Sequence, residues 1–297
     1  MNTQMAYLLG MICGNGEIKQ GNTETIFSIE IPHKVLKTSD HHDIPLYVKA
    51  SISDIRNFIE PLVGTGLSMS PQGSRTILAF CKPNAEYLTR EILNFIGKAN
   101  SHDNIMLHDS VFGFTKDEKR QFLRGFADVT GYVRRSNYAF DKYMHRVYLE
   151  VPNNWNLVID IANLLFDLDI PIQNINWGHP NMRDPKLKYY TTGKQDAWKK
   201  EHQIKIFANE FLPIGFQVIH KQEALEVLAD ELTTELKRQQ VDVTKKTHNF
   251  YWDRDGRTKI KQIHPRENDE FIPAKIRGKH FDSWKDIAKE LGYGKKD

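Results

Sequence analysis

Apolar and polar residues follow one another in an order that predicts the same set of helices and strands twice along the chain. Apolar side chains that recur every three or four residues predict helices, and alternation of apolar with polar residues predicts strands. The first set of predicted elements is a helix at 4–13, strands at 17–20 and 25–31, a helix at 53–63, a strand at 75–81 and a helix at 85–96.

A second set begins at Thr115, where the sequence up to Glu118 is typical of a capping box at a helix start. Its predicted elements are a helix from about 117, strands at 132–136 and 146–151, a helix at 155–168, strands at 172–177 and 203–207, and helices at 209–214 and 222–236. Each half is roughly α-β-β-α-β-β-α, for which a duplicated unit is the economical explanation. The predicted organisation is one repeat at 1–110, a second repeat at 111–236 and an extension at 237–297.

The overall composition says little about function, but the distribution of charge along the chain is informative. The chain has 297 residues and a net charge of only +3, and it is long enough to bury a sizeable core. The longest apolar run near the start, 5–13, is too short to span a bilayer, so we expect no membrane contact and a cytoplasmic or organellar-matrix protein. Residues 237–297 contain 16 Lys and Arg against 10 Asp and Glu, which suggests a polyanion contact or, alternatively, a solvated charged segment.

Four glycines mark the two predicted helices that open the repeats. Gly10 and Gly125 lie inside these helices, where glycine costs about 1 kcal/mol relative to alanine, and close approach of two helix backbones would offset that cost. Gly16 and Gly131 lie where the helices end and the strands begin, a usual place for glycine. We therefore expect the two helices to pack side by side with their carboxyl ends together.

The two stretches LLGMICGNG at 8–16 and LRGFADVTG at 123–131 resemble the LAGLIDADG motif of homing endonucleases. The resemblance covers about residues 1–236 and implies an α+β fold of two αββαββα repeats. In that fold the motif helices form a pseudo-twofold interface, and each repeat supplies an antiparallel sheet shaped as a saddle for the DNA major groove. It further implies that a single chain acts as a monomer on double-stranded DNA and that the last acid of each motif binds a catalytic Mg²⁺.

The sequence departs from this motif at the metal-binding positions. Asn15 and Thr130 stand where the family has acids, and their neutral oxygens are poor replacements for carboxylates around Mg²⁺. An altered site would use Glu17, just after the first motif, and Asp128, at the earlier acid position of the second motif. These four are the candidate catalytic residues, with Glu17 and Asp128 as metal ligands. Alternatively, Asp128 caps the helix-to-strand turn and Glu17 is a surface or DNA-facing residue.

Side chains that can pair with base edges and phosphates are frequent on the predicted strands. The DNA-contact candidates in the first half are Lys19, Gln20, Ser28, Glu30 and Arg75. The second half is richer, with Arg134, Arg135, Asn137, Lys142, His145, Arg146, Gln173, Asn174 and Asn176. The stretch 249–266 is dense in charged and aromatic residues and adds the phosphate-contact candidates Arg257, Lys259 and Lys261. A short helix is expected after an N-cap at 282–283.

Two functions agree with these observations. The leading hypothesis is a sequence-specific, Mg²⁺-dependent endonuclease for double-stranded DNA, of a homing or restriction type, with a non-standard active site. The alternative is a catalytically inactive DNA-binding regulator, or an RNA maturase, of the same fold, which the neutral Asn15 and Thr130 favour. A small-molecule enzyme has little support, because the sequence has no phosphate-binding loop, dinucleotide fingerprint or nucleophile elbow.

Overall fold

The computed structural model describes residues 2–38, 44–97, 99–135, 145–151, 154–176 and 202–231, together with four short strands beyond residue 249. The chain forms two compact units. Unit 1 consists of Met1–Leu149 and Ala208–Leu232, and unit 2 consists of Glu150–Phe207 and Thr233–Asp297. None of the helices in these described residues has an apolar stretch long enough to cross a membrane.

The first part of unit 1 is a helix followed by a four-stranded antiparallel sheet and two more helices. Its elements are α1 Thr3–Asn15, β1 Gly16–Gln20, β2 Glu24–Pro32, α2 Ile44–Val63, β3 Ser68–Gln72, β4 Arg75–Pro83 and α3 Tyr87–Ile96. The strand order is β1-β2-β4-β3. Strand β2 alternates apolar and polar residues, so its buried side chains, among them Phe27 and Ile29, point to one face of the sheet. The other face is open.

The rest of the chain is divided between the two units. Its elements are α4 Lys116–Thr130, β5 Gly131–Arg134, β6 Arg146–Val151, α5 Trp155–Asp167, β7 Asn174–Asn176, β8 His202–Phe207, α6 Ala208–Phe211, α7 Ile219–Asp230, β9 Phe250–Trp252, β10 Ile260–Gln262, β11 Ala274–Ile276 and β12 Lys279–Phe281. In unit 1, β5 pairs with β6 in antiparallel register. In unit 2, β7 pairs antiparallel with β8 and parallel with β11, and α5 contacts β8 and β9.

Helix α4 begins at Lys116, one residue before the predicted start, with Thr115 as its N-cap. The Thr115 Oγ1 accepts a hydrogen bond from the Glu118 backbone N–H at 3.3 Å, and the Glu118 carboxylate accepts one from the Thr115 backbone N–H at 2.8 Å. This reciprocal pair satisfies two amides that the first helical turn leaves without a partner. The predicted capping box is therefore confirmed, and it fixes where the second motif helix starts.

Helices α1 and α4 pack closely along their length, as the glycines predict. A Cβ atom added to Gly10 would overlap the backbone carbonyl of Phe122, and one added to Gly125 would overlap that of Tyr7. Most residues of both helices are buried, so this seam is also the centre of the core of unit 1. Close backbone contact gains dispersion energy that offsets the low helix propensity of glycine.

The α+β fold class with antiparallel sheets is confirmed. Two local details differ from the sequence prediction. Strand β3 was not predicted, and α2 begins at Ile44 rather than at 53. The repeat boundaries and the duplication stay predictions, and the helix expected after 282 lies outside the described residues.

Candidate nucleic-acid interface

The polar side chains at the ends of the two motif helices make hydrogen bonds within the seam. Asn15, the last residue of α1, donates from Nδ2 to the Val129 carbonyl oxygen of α4 at 2.7 Å. Thr130, the last residue of α4, donates from Oγ1 to the Phe126 carbonyl oxygen at 2.7 Å. The two positions where the motif family has metal-binding acids therefore hold neutral groups: Asn15 bonds across the seam, and Thr130 bonds within its own helix.

Asp128 lies in a fully buried cluster at the seam. Its Oδ2 accepts hydrogen bonds from the Tyr7 hydroxyl at 2.8 Å and from the Gln217 backbone N–H at 2.9 Å. The Lys221 Nζ lies 3.6 Å from Asp128 Oδ1 and donates to the carbonyl oxygens of Ala127 at 3.2 Å and Asp128 at 3.3 Å. The predicted metal ligand Asp128 is thus placed as the acid of a buried ion pair that ties α1, α4 and α7 together.

Burial dominates the ionisation of this Tyr7–Asp128–Lys221 cluster. It raises the pKa of Asp128, although the lysine opposes the shift. It also lowers the pKa of Lys221 to about 8, against the pull of the carboxylate. Burial, followed by the charge of Asp128, raises the pKa of Tyr7 well above its ordinary value. The loss of hydration therefore outweighs the attraction within the ion pair, as is common for charges removed from water.

The lowered pKa of Lys221 makes the stability of unit 1 depend on pH in the alkaline range. Between about pH 8 and the ordinary pKa of 10.5 the unfolded chain holds a proton on Lys221 that the folded chain has released. The free energy of unfolding should therefore rise by about 1 to 2 kcal/mol from pH 8 to 9.5. Urea unfolding at pH 7.5, 8.5 and 9.5 measures this change, since the ordinary pKa of Tyr7, 10.0, lies above that range.

The control for the pH experiment is the double variant Asp128→Asn/Lys221→Met, in which neither buried group titrates. Its unfolding free energy should lack the rise, so that the difference between the two curves isolates the ion pair. A wild-type curve that falls over the same range would contradict the lowered pKa of the lysine.

Glu17 has a different environment from Asp128. It is exposed on β1, with its backbone paired to Ser28 on one side and bridged to Ser101 on the other. The neighbouring segment is held against β1 because the backbone N–H of His102 donates to the Gly16 carbonyl at 2.8 Å. Of the four candidate catalytic residues, Glu17 is the one whose side chain faces solvent.

The donors at the end of the paired helices do not fit a divalent cation. Mg²⁺ requires several oxygen ligands, with carboxylates supplying most of the charge. Asn15 and Thr130 donate their hydrogens to backbone carbonyls, and the Asp128 carboxylate is enclosed beside a lysine. Within the described residues, no three His, Cys, Asp or Glu side chains lie together in an arrangement that could hold a metal. The altered metal site expected from Glu17 and Asp128 stays a prediction, which the ion pair between Asp128 and Lys221 does not favour.

The open face of the first sheet carries the DNA-contact candidates of the first half. The strand registers place the alternate residues Glu17, Lys19, Glu24, Ser28, Glu30 and Arg75 on it. Arg75 donates to Glu30 at 2.7 Å. Gln20 is also exposed, at the end of β1, but it directly follows Lys19, so the alternation of the strand places it on the opposite face. Three acids against two bases give this face no excess of positive charge, so its attraction for phosphates is weak.

The β5–β6 pair has a different character. The register places Tyr132 opposite Tyr148 and Arg134 opposite Arg146. The two tyrosine rings stack on each other with centroids 5.3 Å apart and an interplanar angle of 11°. Arg134 is exposed, whereas the other three side chains are half-buried. Positive charge and aromatic rings on one strand face are features of nucleic-acid contacts.

Two other candidates of the second half are engaged within unit 1. Arg135 donates to both carboxylate oxygens of Glu231, at 2.8 and 3.1 Å. The His145 ring lies 2.7 Å from Glu231 Oε2 and is only 4% exposed. These contacts join the end of α7 to the β5–β6 pair. Burial acts to raise the pKa of Glu231, but the hydrogen bonds from His145 and Arg135 lower it on balance. The burial of His145 does not favour the DNA contact predicted for it.

The remaining candidates lie in or near unit 2. The Gln173 backbone N–H donates to the Lys205 carbonyl at 2.8 Å beside β7. Asn174 and Asn176 belong to β7, and Lys261 belongs to β10, but only their backbones are described. Asn137, Lys142, Arg257 and Lys259 lie outside the described residues, so their predicted roles stay predictions.

The sequence predicted DNA contacts for Arg134 and Arg146 but missed Tyr132 and Tyr148, which the strand register places beside them, and it missed Lys221. The pairs Tyr132/Arg134 and Arg146/Tyr148 read as two mirrored Tyr-x-Arg and Arg-x-Tyr patterns, which an antiparallel pairing would place side by side. That signal was present in the sequence. Lys221 gave no such signal, because a single lysine in a helical pattern is usually solvated and its partner Asp128 lies 93 positions earlier.

Comparisons with known proteins return structural neighbours alone. No protein-family model matches the chain, and no curated protein sequence matches it. The homing endonuclease I-DmoI in complex with DNA and Ca shares 16% identity at a TM-score of 0.39, over 71% of this chain and 87% of that chain. The homing endonuclease I-WcaI, bound to its DNA recognition sequence, shares 15% identity at a TM-score of 0.42, over 80% of this chain and 84% of that chain.

A third neighbour is full-length DUF199/WhiA from Thermatoga maritima, with 14% identity and a TM-score of 0.39, over 81% of this chain and 65% of that chain. Two of these neighbours are homing endonucleases, the class that the two motifs resemble. Because every identity is below 25% and every TM-score is below 0.5, no residue role is transferred from them. The fold described above stands on the helix seam and the strand registers.

Proposed function

We propose that the chain binds double-stranded DNA with the open faces of its sheets and does not cleave it through a motif-based metal site. The observation that carries the proposal is the helix seam. Strands β1 and β5 directly follow the two paired helices and so leave the same end of the seam. Lys19 is exposed on β1 and Arg134 is exposed on β5, and the motif resemblance assigns such strands to the DNA groove. Arg134 would neutralise phosphate charge, whereas the acids on the first sheet face offset the charge of Lys19 and Arg75.

The contacts of Asp128, Asn15 and Thr130 support the part of the proposal that the chain does not cleave DNA at the motif positions. Hydrolysis of a phosphodiester with divalent metals needs carboxylates that hold the ions beside the scissile phosphate. Here Asn15 and Thr130 donate hydrogen bonds to backbone carbonyls. Asp128 accepts a hydrogen bond from Tyr7 and forms an ion pair with Lys221. These commitments favour a DNA-binding regulator over the endonuclease that the sequence first suggests.

A binding and cleavage experiment tests both parts of the proposal. The full chain is incubated with a pool of randomised duplexes, bound duplexes are selected and sequenced, and the enriched sites are exposed to Mg²⁺ or Mn²⁺. We expect salt-sensitive binding to a defined site and no strand scission, either for the wild type or for Asn15→Asp. Asn15→Asp also removes the donor to Val129, so a small loss of stability of about 1 kcal/mol should accompany it.

A variant of Glu17 gives the most direct test of the non-cleaving part of the proposal, because Glu17 is the exposed acid among the four candidate catalytic residues. Metal-dependent scission that disappears in Glu17→Ala, but persists in the matched variant Glu24→Ala on the same sheet face, would overturn the non-cleaving part. Failure to enrich any duplex would overturn the binding part. Selection of structured RNA in a parallel pool would favour the maturase alternative instead.

A further inference from the structure

The open face of the first sheet presents two kinds of surface. At one end of the face, Arg75 Nη1 donates a hydrogen bond to Glu30 Oε2 at 2.7 Å. Alternate residues of a strand point to one face, so the registers also place four apolar side chains here: Ile26, Ile77, Ala79 and Cys81. Ile26 is 40% exposed. The face therefore combines a charged pair with an apolar area.

These side chains match the edges of base pairs better than they match phosphates. The acids of this face offset the charge of Lys19 and Arg75, which weakens the attraction for phosphates. In the major groove, guanine presents two hydrogen-bond acceptors and thymine presents a methyl group. Arginine donates to both guanine acceptors, and apolar side chains contact the thymine methyl. The composition of the face therefore favours guanine and thymine as its contacts.

The ion pair leaves most donors of Arg75 able to bind another group. A guanidinium has five N–H donors, and the contact with Glu30 uses one of them. The two side chains are 47% and 37% exposed. The carboxylate holds the planar guanidinium in one orientation, which reduces the side-chain entropy that would be lost when Arg75 binds a base.

We infer that Arg75, oriented by Glu30, recognises a guanine in the major groove and that Ile26 contacts the methyl group of a thymine. This inference rests on the proposed function and names the bases that one sheet face selects. Arg75 is opposite Pro32, six residues (32 minus 26) from Ile26 along β2. A strand rises about 3.4 Å per residue, close to the step of about 3.4 Å between base pairs. In a strand that follows the groove, the two bases therefore lie about six base pairs apart.

The test uses the duplex that the selection enriches and replaces single bases by analogues. The analogue 7-deazaguanine removes one guanine acceptor, and deoxyuridine removes the thymine methyl. Wild-type protein should lose affinity about fivefold at one guanine and about fourfold at one thymine. Arg75→Ala should abolish the first sensitivity and keep the second, whereas Ile26→Ala should do the reverse. Each variant is thus the control for the other.

The role of Glu30 is separated from simple repulsion of DNA by two measurements on Glu30→Ala. Loss of the acid should raise the affinity for every duplex, and release of Arg75 should reduce the discrimination against 7-deazaguanine. Higher affinity with unchanged discrimination would contradict the positioning role.

The matched control for charge is Arg120→Ala. Arg120 is 2.7 Å from Asp117 at the start of α4, the end of that helix away from its strand, and its variant should keep both sensitivities. Melting temperatures establish that each variant is folded, as expected for exposed ion pairs of small energy.

Cys81 gives a readout that needs no variant. It lies opposite Ile26 and is exposed, whereas Cys13, the other cysteine of the chain, is buried. The enriched duplex should slow the alkylation of Cys81 by iodoacetamide. A bound duplex without this protection, or binding that no base analogue alters, would overturn the inference and leave DNA binding intact. Failure to enrich any duplex would overturn the proposed function and this inference with it.

Discussion

Replacing Gly10 with alanine is expected to lower the free energy of unfolding of the chain by about 3 kcal/mol or more. The added Cβ would overlap the Phe122 carbonyl oxygen and lie 2.9 Å from the Phe126 backbone nitrogen. Both are backbone atoms of α4, which cannot turn aside as a side chain does, so the two helices must separate. The gain in helix propensity, about 1 kcal/mol, is too small to offset this. Urea unfolding followed by circular dichroism measures the effect.

The matched control for Gly10→Ala is Gly66→Ala. Gly66 has no heavy atom within 4 Å of an added Cβ and is not at a positive φ, so its variant should be within about 0.5 kcal/mol of the wild type. Gly125→Ala, which meets the Tyr7 carbonyl from the opposite helix, should resemble Gly10→Ala. Equal stability of the Gly10 and Gly66 variants would mean that the helices are not in close backbone contact, and the site built on their ends would fail with them.

Removing the lysine of the buried ion pair is expected to be comparably damaging. Lys221→Met leaves the Asp128 carboxylate fully buried without its cation, which typically lowers the free energy of unfolding by about 3–5 kcal/mol. The double variant Asp128→Asn/Lys221→Met buries no charge, so it should recover most of that loss. Urea unfolding of the two single variants and the double variant gives the coupling energy between the side chains.

An exposed ion pair of similar length supplies the comparison for Lys221→Met. Arg56 and Glu60 on α2 are 3.0 Å apart, with side chains 38% and 31% exposed, so Arg56→Ala should change stability by less than about 1 kcal/mol. If the double variant at the seam proves no more stable than Lys221→Met alone, the loss comes from packing of the lysine stem rather than from the unpaired carboxylate.

The helix seam could be predicted from sequence because two unusual signals agreed. Glycine is unfavourable within a helix, and the same spacing from Gly10 to Gly16 recurs from Gly125 to Gly131. The capping box likewise fixed the start of α4 through local chemistry. These features depend on neighbouring residues or on repetition, both of which a single sequence displays directly.

Other elements could not be read from the sequence, for different physical reasons. Strand β3, Ser-Met-Ser-Pro-Gln, is exposed throughout and lies at the sheet edge, so it has no buried side to produce alternation. The chemistry of Asp128 depends on Lys221, on a helix far along the chain, and composition near the motif gives no indication of it. The motif resemblance predicted an altered metal site at Asp128, whereas tertiary contacts placed its carboxylate in an ion pair.

The chain order of the Tyr7–Asp128–Lys221 cluster has a consequence for protein synthesis. When the first 130 residues have left the ribosome, both motif helices exist, but the cation for Asp128 has yet to be made. An early docking of the helices would enclose an unneutralised carboxylate, which is unfavourable. We therefore expect the seam to become stable only after α7 has left the ribosome, and nascent chains that stop short of Lys221 should be the ones that chaperones and proteases recognise.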